Sequence, residues 1–365
     1  MKEVALAVID YFKTKMLRLS PAALYVYVGM FLISSALSLG LFFDFELSYG
    51  PFGSSFSIAD RQSWPVGVQY VLLFLGLISF GYGLIIVHPR HLKRVQEATL
   101  RQRVVVVEHR GLTFAVNKAV CDAVPPEFLG RREEISIDQT PYVSGNSRVN
   151  DPGKSLEEVL HIRRDIDGRV KAVDKNDVTV IYGGLASVPF TFLTGYLIDD
   201  DNDVEVMDWD RFNGKWKHIK PTQSEVTEAE IIGLAEAKFA DEVILALSIS
   251  HRCDLQVLAD VFPGLPIVHM DTGDYQPNNH WDKKQQGRWA EQFVKLIRTL
   301  GSTKKIHLTI AAQNSVVFNL GRTYDRRNSP ALYVYQYERD EDPAYPWAID
   351  VPRTGNMAKI VRIGT

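Results

Sequence analysis

The chain has 365 residues, 46% hydrophobic and 23% charged, enough apolar content to bury a sizeable core and a length that suits about two domain-sized units. Its formal net charge is −3, so no global field draws it to a long polynucleotide, and phosphate recognition must rest on local basic groups. Cys121 and Cys253 are far apart and lack CxxC or metal-ligand spacing, which fits a reducing compartment and two buried thiols rather than a disulfide framework.

The first predicted elements are two membrane spans, residues 22–43 and 64–87. Neither contains a charged residue, and at about 1.5 Å per residue each reaches across a hydrocarbon core of roughly 30 Å. Lys13, Lys15 and Arg18 precede the first span, and Arg90, Lys93, Arg94, Arg101 and Arg103 follow the second. The connecting loop carries Asp44, Glu46 and Asp60 against a single Arg61. This asymmetry places both termini in the cytoplasm. Gly29, Ser34, Ser35, Ser38 and Gly40 in one span, with Gly76, Ser79, Gly81 and Gly83 in the other, offer small surfaces for close helix packing.

Beyond residue 100 strand-like and helix-like segments alternate. Strands are expected at 104–108, 135–138, 178–182 and 204–209, with helices at 155–170 and 188–197. The second half repeats the order, with strands at 243–249, 267–270, 306–310 and 332–337 and helices near 285–300 and 316–324. Such alternation predicts an α/β fold with a mainly parallel, Rossmann-like sheet in each half. An offset of 128 places Ser187 on Ser315, Phe190 on Phe318, Tyr196 on Tyr324, Val206 on Val334 and Trp209 on Tyr337 without a gap. Asp138 and Tyr142 recur as Asp271 and Tyr275, and His109-Arg110 recurs as His251-Arg252. These matches point to an internal duplication with two lobes, about 101–222 and 223–365, rather than a solenoid.

In parallel sheets the ligand crevice lies outside the carboxyl ends of the strands. Candidate ligand residues there are His109, Arg110, Asp138, Gly183, Gly184, Ser187 and Trp209 in the first half. In the second they are Ser250, His251, Arg252, Asp271, Gln313, Asn314, Ser315 and Tyr337. The glycine-containing turn 183–187 and its counterpart 311–315 each open a helix, where free N–H groups can meet an anion. Arg110 and Arg252 offer planar donor forks for phosphate, although capping or a salt bridge is the commoner role of such an arginine. Asp138 and Asp271 are suited to a ribose or base edge or to capping a turn, and Trp209 and Tyr337 to base stacking or the core. No GxGxxG, Walker, HExxH or GxSxG pattern is present, so nothing calls for a dinucleotide, ATP or metal cofactor. His269 with Asp271 and Asp274 is the nearest approach to a catalytic cluster, and a buried structural histidine is the commoner reading of it. Three readings follow: a ligand receptor, a membrane-tethered phosphodiesterase using His251 or His269 as acid or base, and a passive anchor for a protein partner.

The run Val104-Val105-Val106-Val107-Glu108-His109-Arg110-Gly111, the segment Gly130–Ile135, Val178–Arg211 with Tyr182-Gly183-Gly184-Leu185 and Met207-Asp208-Trp209-Asp210, and the closing Ile306-His307-Leu308, Asn319-Leu320-Gly321-Arg322 and Leu332–Glu338 together resemble a SAVED domain. The resemblance covers roughly residues 100 to 360. It implies a membrane module over residues 1–100 and, over 101–365, a SAVED domain of two fused CARF-like lobes. It further implies a sensor of cyclic oligonucleotides, di- or trinucleotide, made by a nucleotidyltransferase of the bacterial antiphage (CBASS) systems. With two spans ahead of it, the chain looks like an inner-membrane effector that forms a homo-oligomer when ligand binds and perturbs the lipid bilayer.

Overall fold

The structure, a computed structural model, describes residues 21–41, 66–112, 118–145, 148–170, 173–199, 204–325, 329–352 and 357–363. Lys13, Lys15, Arg18, the loop acids Asp44, Glu46 and Asp60, Arg61 and the outer ends of both expected spans lie outside the described residues. The chain divides into two compact units, residues 1–99 and 100–365.

In the first unit α1 (Pro21–Leu41) runs for 21 residues without a charge. Helix α2 (Val66–Tyr82) continues through a π-helical turn, Gly83–Val87, into α3 (His88–Arg101). The segment Tyr70–Arg94 is long and apolar enough to cross a membrane. The two helices pack antiparallel through the small residues. A Cβ on Gly29 would lie 2.6 Å from the Phe80 nitrogen, and one on Gly76 2.8 Å from the Ile33 side chain. Ser79 Oγ donates to the Tyr25 carbonyl at 3.0 Å, satisfying a hydroxyl between the helices. Phe31, Tyr70, Phe74 and Ile85 point outward and are exposed, as a surface meeting lipid requires. Helix α3 is a different kind of helix: its Arg90, Lys93, Arg94 and Arg101 are all exposed.

In the second unit a five-stranded sheet has the order β2-β1-β5-β6-β7. Its strands are β1 (Arg103–Arg110), β2 (Arg131–Asp138), β5 (Val178–Leu185), β6 (Val204–Asp210) and β7 (Lys215–His218). All pair in parallel except β6 with β7. The short hairpin β3 (Val143–Ser144) and β4 (Arg148–Val149) leads into α5 (Pro152–Leu160) and α6 (Ile162–Val170), so the single helix expected at 155–170 is two.

The second sheet has seven strands in the order β14-β13-β12-β11-β9-β10-β8. The parallel centre consists of β9 (Glu242–Ser248), β10 (Ile267–Asp271), β11 (Lys305–Ala311) and β12 (Ala331–Gln336). The antiparallel edges are β8 (Glu230–Ile232), β13 (Trp347–Asp350) and β14 (Lys359–Arg362). The centres correspond strand for strand, β2-β1-β5-β6 to β10-β9-β11-β12, so the α/β duplication holds at the level of topology.

The unbroken valine run of β1 reflects burial on both faces. Val105 and Val107 enter a core shared with the second sheet, while Val104 and Val106 face a separate cluster under α4 (Val120–Ala123). The shared core is closed by α7 (Val188–Ile198) and α11 (Asn314–Thr323), the helices that follow β5 and β11. Their approach is reciprocal: a Cβ on Gly195 would sit 2.1 Å from the Phe318 carbonyl oxygen, and one on Gly321 2.1 Å from that of Phe192. Tyr182 stacks on Phe318 at 3.7 Å between centroids.

This reciprocity corrects the register of the repeat. Residues 192 and 195 correspond to 318 and 321, and the helix-preceding Ser187 corresponds to Gln313, an offset of 126. The strands β6 and β12 keep 128, because Val180 pairs with Val204 whereas Ile306 pairs with Leu332. Two extra residues between strands separate the offsets. Asp138 and Asp271 do correspond, since Arg110 pairs with Asp138 and Ser248 with Asp271. By the same register the equivalent of Arg110 is Ser248, so His109-Arg110 and His251-Arg252 are unrelated.

The helix contact yields a prediction: Gly195→Val in the full chain costs about 3 kcal/mol or more through overpacking against backbone. Thermal unfolding in detergent measures it, and a melting temperature equal to wild type would contradict the packing described.

Candidate functional site

The carboxyl ends of both parallel sheets lead to the same place, where α7 and α11 begin side by side. Asn314, the first residue of α11, reaches into the first lobe, its Oδ1 accepting from the Ala186 N–H at 3.2 Å and from Thr191 Oγ1 at 2.9 Å. Asp208 of β6 answers from the first lobe: its Oδ2 accepts the Ser315 N–H at 3.0 Å, while its Oδ1 accepts the Trp209 N–H at 2.7 Å. Asp208 is only 2% exposed. A carboxylate so buried is held by the positive end of α11, where unpaired N–H groups and the helix dipole favour an anion. His280 Nε2 stands 3.6 Å from the same oxygen. Ser315 Oγ accepts from Gln286 Nε2 at 3.1 Å.

His109 takes no part in this junction. It is buried, with Nε2 against Gln139 Oε1 at 3.0 Å and Nδ1 against Tyr182 Oη and Thr194 Oγ1, each at 3.3 Å. Burial lowers its pKa to about 4, partly offset by the Gln139 contact. Arg110 is committed to Glu108 at 2.8 Å and Glu134 at 3.7 Å, the Glu108 hydrogen bond being the main reason its pKa is raised. Asp138 Oδ1 caps its own turn by accepting from the Thr140 N–H and hydroxyl. Asp271 does likewise with the Gly273 N–H at 2.8 Å and the Tyr275 hydroxyl at 2.6 Å. Burial works against its ionised form, but those two donors hold its pKa below the usual value.

Gly183 is accounted for by packing, since a Cβ there would meet Val120 at 2.8 Å. A Cβ on Gly184 would strike the Tyr182 hydroxyl. Trp209 belongs to the outer cluster beneath α4, edge-on to Trp216 at 5.5 Å between centroids. Tyr337 falls just past β12, half exposed, against Tyr345.

In the second lobe the N–H groups of Ile249, Ser250 and His251 all point at the Ala311 carbonyl, and Ser250 Oγ donates to Asn279 Oδ1 at 2.9 Å. His251 and Arg252 are exposed. Partial burial and then the charge of Arg211 lower the His251 pKa. Gln313 precedes α11, its amide 3.5 Å from the Pro277 carbonyl. His269 is structural: it holds Ser248 Oγ at 2.8 Å, which accepts the Cys253 N–H at 2.9 Å. Cys253 is buried as expected, whereas Cys121 is only half-buried. Among the described residues no His, Cys, Asp and Glu side chains cluster as a metal would need.

The site thus gathers the loops after β5 and β11, with Ser187, Gln313, Asn314 and Ser315. It adds Asp208, Thr191 and His280, which the sequence reading missed. The signal for Asp208 was a carboxylate in the middle of an otherwise core-forming strand.

A family model for the SMODS-associated and fused to various effectors sensor domain, SAVED, matches residues 162–351. The chain belongs to the SAVED family. A second model, for the SAVED-fused 2TM effector domain, matches residues 1–156, so the protein is a two-transmembrane SAVED effector whose α1 and α2 lie in its transmembrane module. No curated protein matches the chain. Among solved structures, an Acinetobacter baumannii Cap4 SAVED/CARF-domain containing receptor with the cyclic trinucleotide 2'3'3'-cAAA is similar over 76% of this chain and 58% of its own, at 12% identity and a TM-score of 0.44. A Moraxella osloensis Cap4 SAVED/CARF-domain containing receptor is similar over 75% and 56%, at 11% identity and a TM-score of 0.41. The chain spans less than three fifths of the length of either.

The buried histidine of this SAVED domain predicts a pH dependence. Because folding lowers the His109 pKa, its neutral form is favoured in the native state. The stability it contributes is full above the unfolded value near 6.5 and falls as pH drops towards 4. The loss is about 3 kcal/mol. Denaturant titrations of wild type and His109→Asn from pH 7 to 4 should show a shallower slope in the variant, and equal slopes would exclude His109 as the source.

Proposed function

We propose that this effector is a receptor for a cyclic oligonucleotide, and that ligand binding in the sensor domain drives assembly of the chain and perturbs the inner membrane. The observation that carries the reading is the convergence of two helix N-termini at the carboxyl ends of two homologous sheets, bridged by Asn314. The junction of these helix ends favours an anion, and within the SAVED family the ligand class so implied is a cyclic oligonucleotide. Arg211 and Arg339, equivalent by the β6 and β12 offset, are both exposed beyond their strands, where an unpartnered guanidinium fork can reach a phosphate.

Signalling then needs differential affinity, since a ligand that binds resting and assembled states equally shifts nothing. The uncharged spans carry no proton or ion relay of their own, and their small-residue packing supports output by association of helices. The protein acts by binding, so a cyclic nucleotide incubated with it should return intact on chromatography.

Full-length protein in liposomes should release an entrapped dye only when its cognate cyclic di- or trinucleotide is added. Arg211→Ala combined with Arg339→Ala should weaken the dose response about tenfold or more. Dye release that ignores every cyclic nucleotide in a broad panel would defeat the gating claim.

A further inference from the structure

The duplication sharpens the reading of this cleft, because its two helix ends differ at the positions that touch an anion. In the second lobe the α11 end is already filled: Asp208 Oδ2 accepts the Ser315 N–H. By the offset of 126 the equivalent of Ser315 is Pro189, which has no N–H to give. By the offset of 128 the equivalent of Asp208 is Gln336, a neutral side chain on β12, the strand that packs against α7. The internal ion contact of one half is therefore missing from the other.

Two polar atoms accompany this difference. Ser187 Oγ, on the residue preceding α7, and Gln336 Oε1 are both buried and without a hydrogen-bond partner, their residues 9% and 8% exposed. Gln336 Nε2 reaches only the carbonyl of the next residue, at 3.1 Å. The N–H groups of Val188 and Phe190, in the first turn of this 11-residue helix, have no intrahelical partner. Unsatisfied buried polar groups are uncommon in native proteins and call for an explanation.

We infer that the α7 end, with Ser187 and Gln336, is the seat for one phosphate of the ligand, and that Asp208 is a built-in anion closing the corresponding seat at α11. Ser187 donates its hydroxyl and the first-turn N–H groups donate alongside it. The Gln336 amide turns to present its NH2, giving up its 3.1 Å donation to the Tyr337 carbonyl, and the site tolerates the added charge because glutamine replaces the carboxylate. The ligand is consequently held asymmetrically, one phosphate at the first lobe and none at α11. This rests on the cleft being the ligand site, as proposed above.

The test uses the full chain in detergent, titrated by calorimetry with cyclic di- and triadenylates, alongside Ser187→Ala and Gln336→Glu. The glutamate recreates in the first lobe the carboxylate that occupies the second, and should weaken binding tenfold or more. Removing the Ser187 hydroxyl should weaken it about fivefold. Wild-type affinity in a folded Ser187→Ala chain overturns the seat, and that single-hydroxyl deletion decides the matter if Gln336→Glu fails to fold. Unchanged binding would assign the two orphan atoms to a buried water. A wild-type chain that binds none of a full panel of cyclic nucleotides would instead overturn the receptor reading itself.

Discussion

Gly195 and Gly321 hold the two sheets of the sensor unit in one body. Each lets the backbone of the opposing helix come within 2.1 Å of where a Cβ would stand, so α7 and α11 lie closer than side chains elsewhere allow. The polar contacts between the two helix ends depend on that approach. Asn314 can span to Ala186 and Thr191, and Asp208 can reach the Ser315 N–H, only because the first turns of the helices are already side by side. The same approach stacks Tyr182 on Phe318 and joins the inner faces of both sheets into one core. A polar site is thereby set into an apolar frame that resists small displacements.

Much of this was legible in the sequence because the strands are buried on both faces. Runs such as Val104–Val107 and Val243–Leu247 stand out against the charged helices, and the order of the elements shows the duplication. The edge strands β7, β8, β13 and β14 were not visible, being short segments of Lys, Trp, Glu and Ile without a clean alternation. The register of the repeat was half right. A gapless comparison is governed by its longest match, here β6 with β12, and it carried the neighbouring helices two residues out of phase. The error hid the correspondence of Ser187 with Gln313 and of Ser315 with Pro189.

The site residues divide along the same line. Loop positions that open a helix are recognisable from their small and polar composition, and Ser187, Asn314 and Ser315 lie where α7 and α11 begin. Of the residues chosen for chemical type alone, His109 is buried beneath α7 and Trp209 packs partly buried under α4, because a strand's side chains alternate between faces and sequence does not say what covers each. Asp208 and Gln336 show the reverse. Both share the inward phase of Val206 and Val334, which reads as core, and burial of a carboxylate there is tolerable only because a helix from the other lobe ends against it.

The asymmetry between those two positions bears on how a ligand can act on the protein at all. A receptor responds only to a difference in free energy between its states. Buried polar groups without partners cost about 1–3 kcal/mol each, and Ser187 Oγ and Gln336 Oε1 have no partner within the protein. In the seat inferred above, a phosphate that accepts the Ser187 hydroxyl changes the energy of the first lobe and leaves the Asp208 contact in the second as it is. One half of the duplicated domain is thus poised and the other already settled. A domain with two identical halves would lack that bias, and in the proposal made here the divergence of the repeat at Pro189 and Gln336 supplies it.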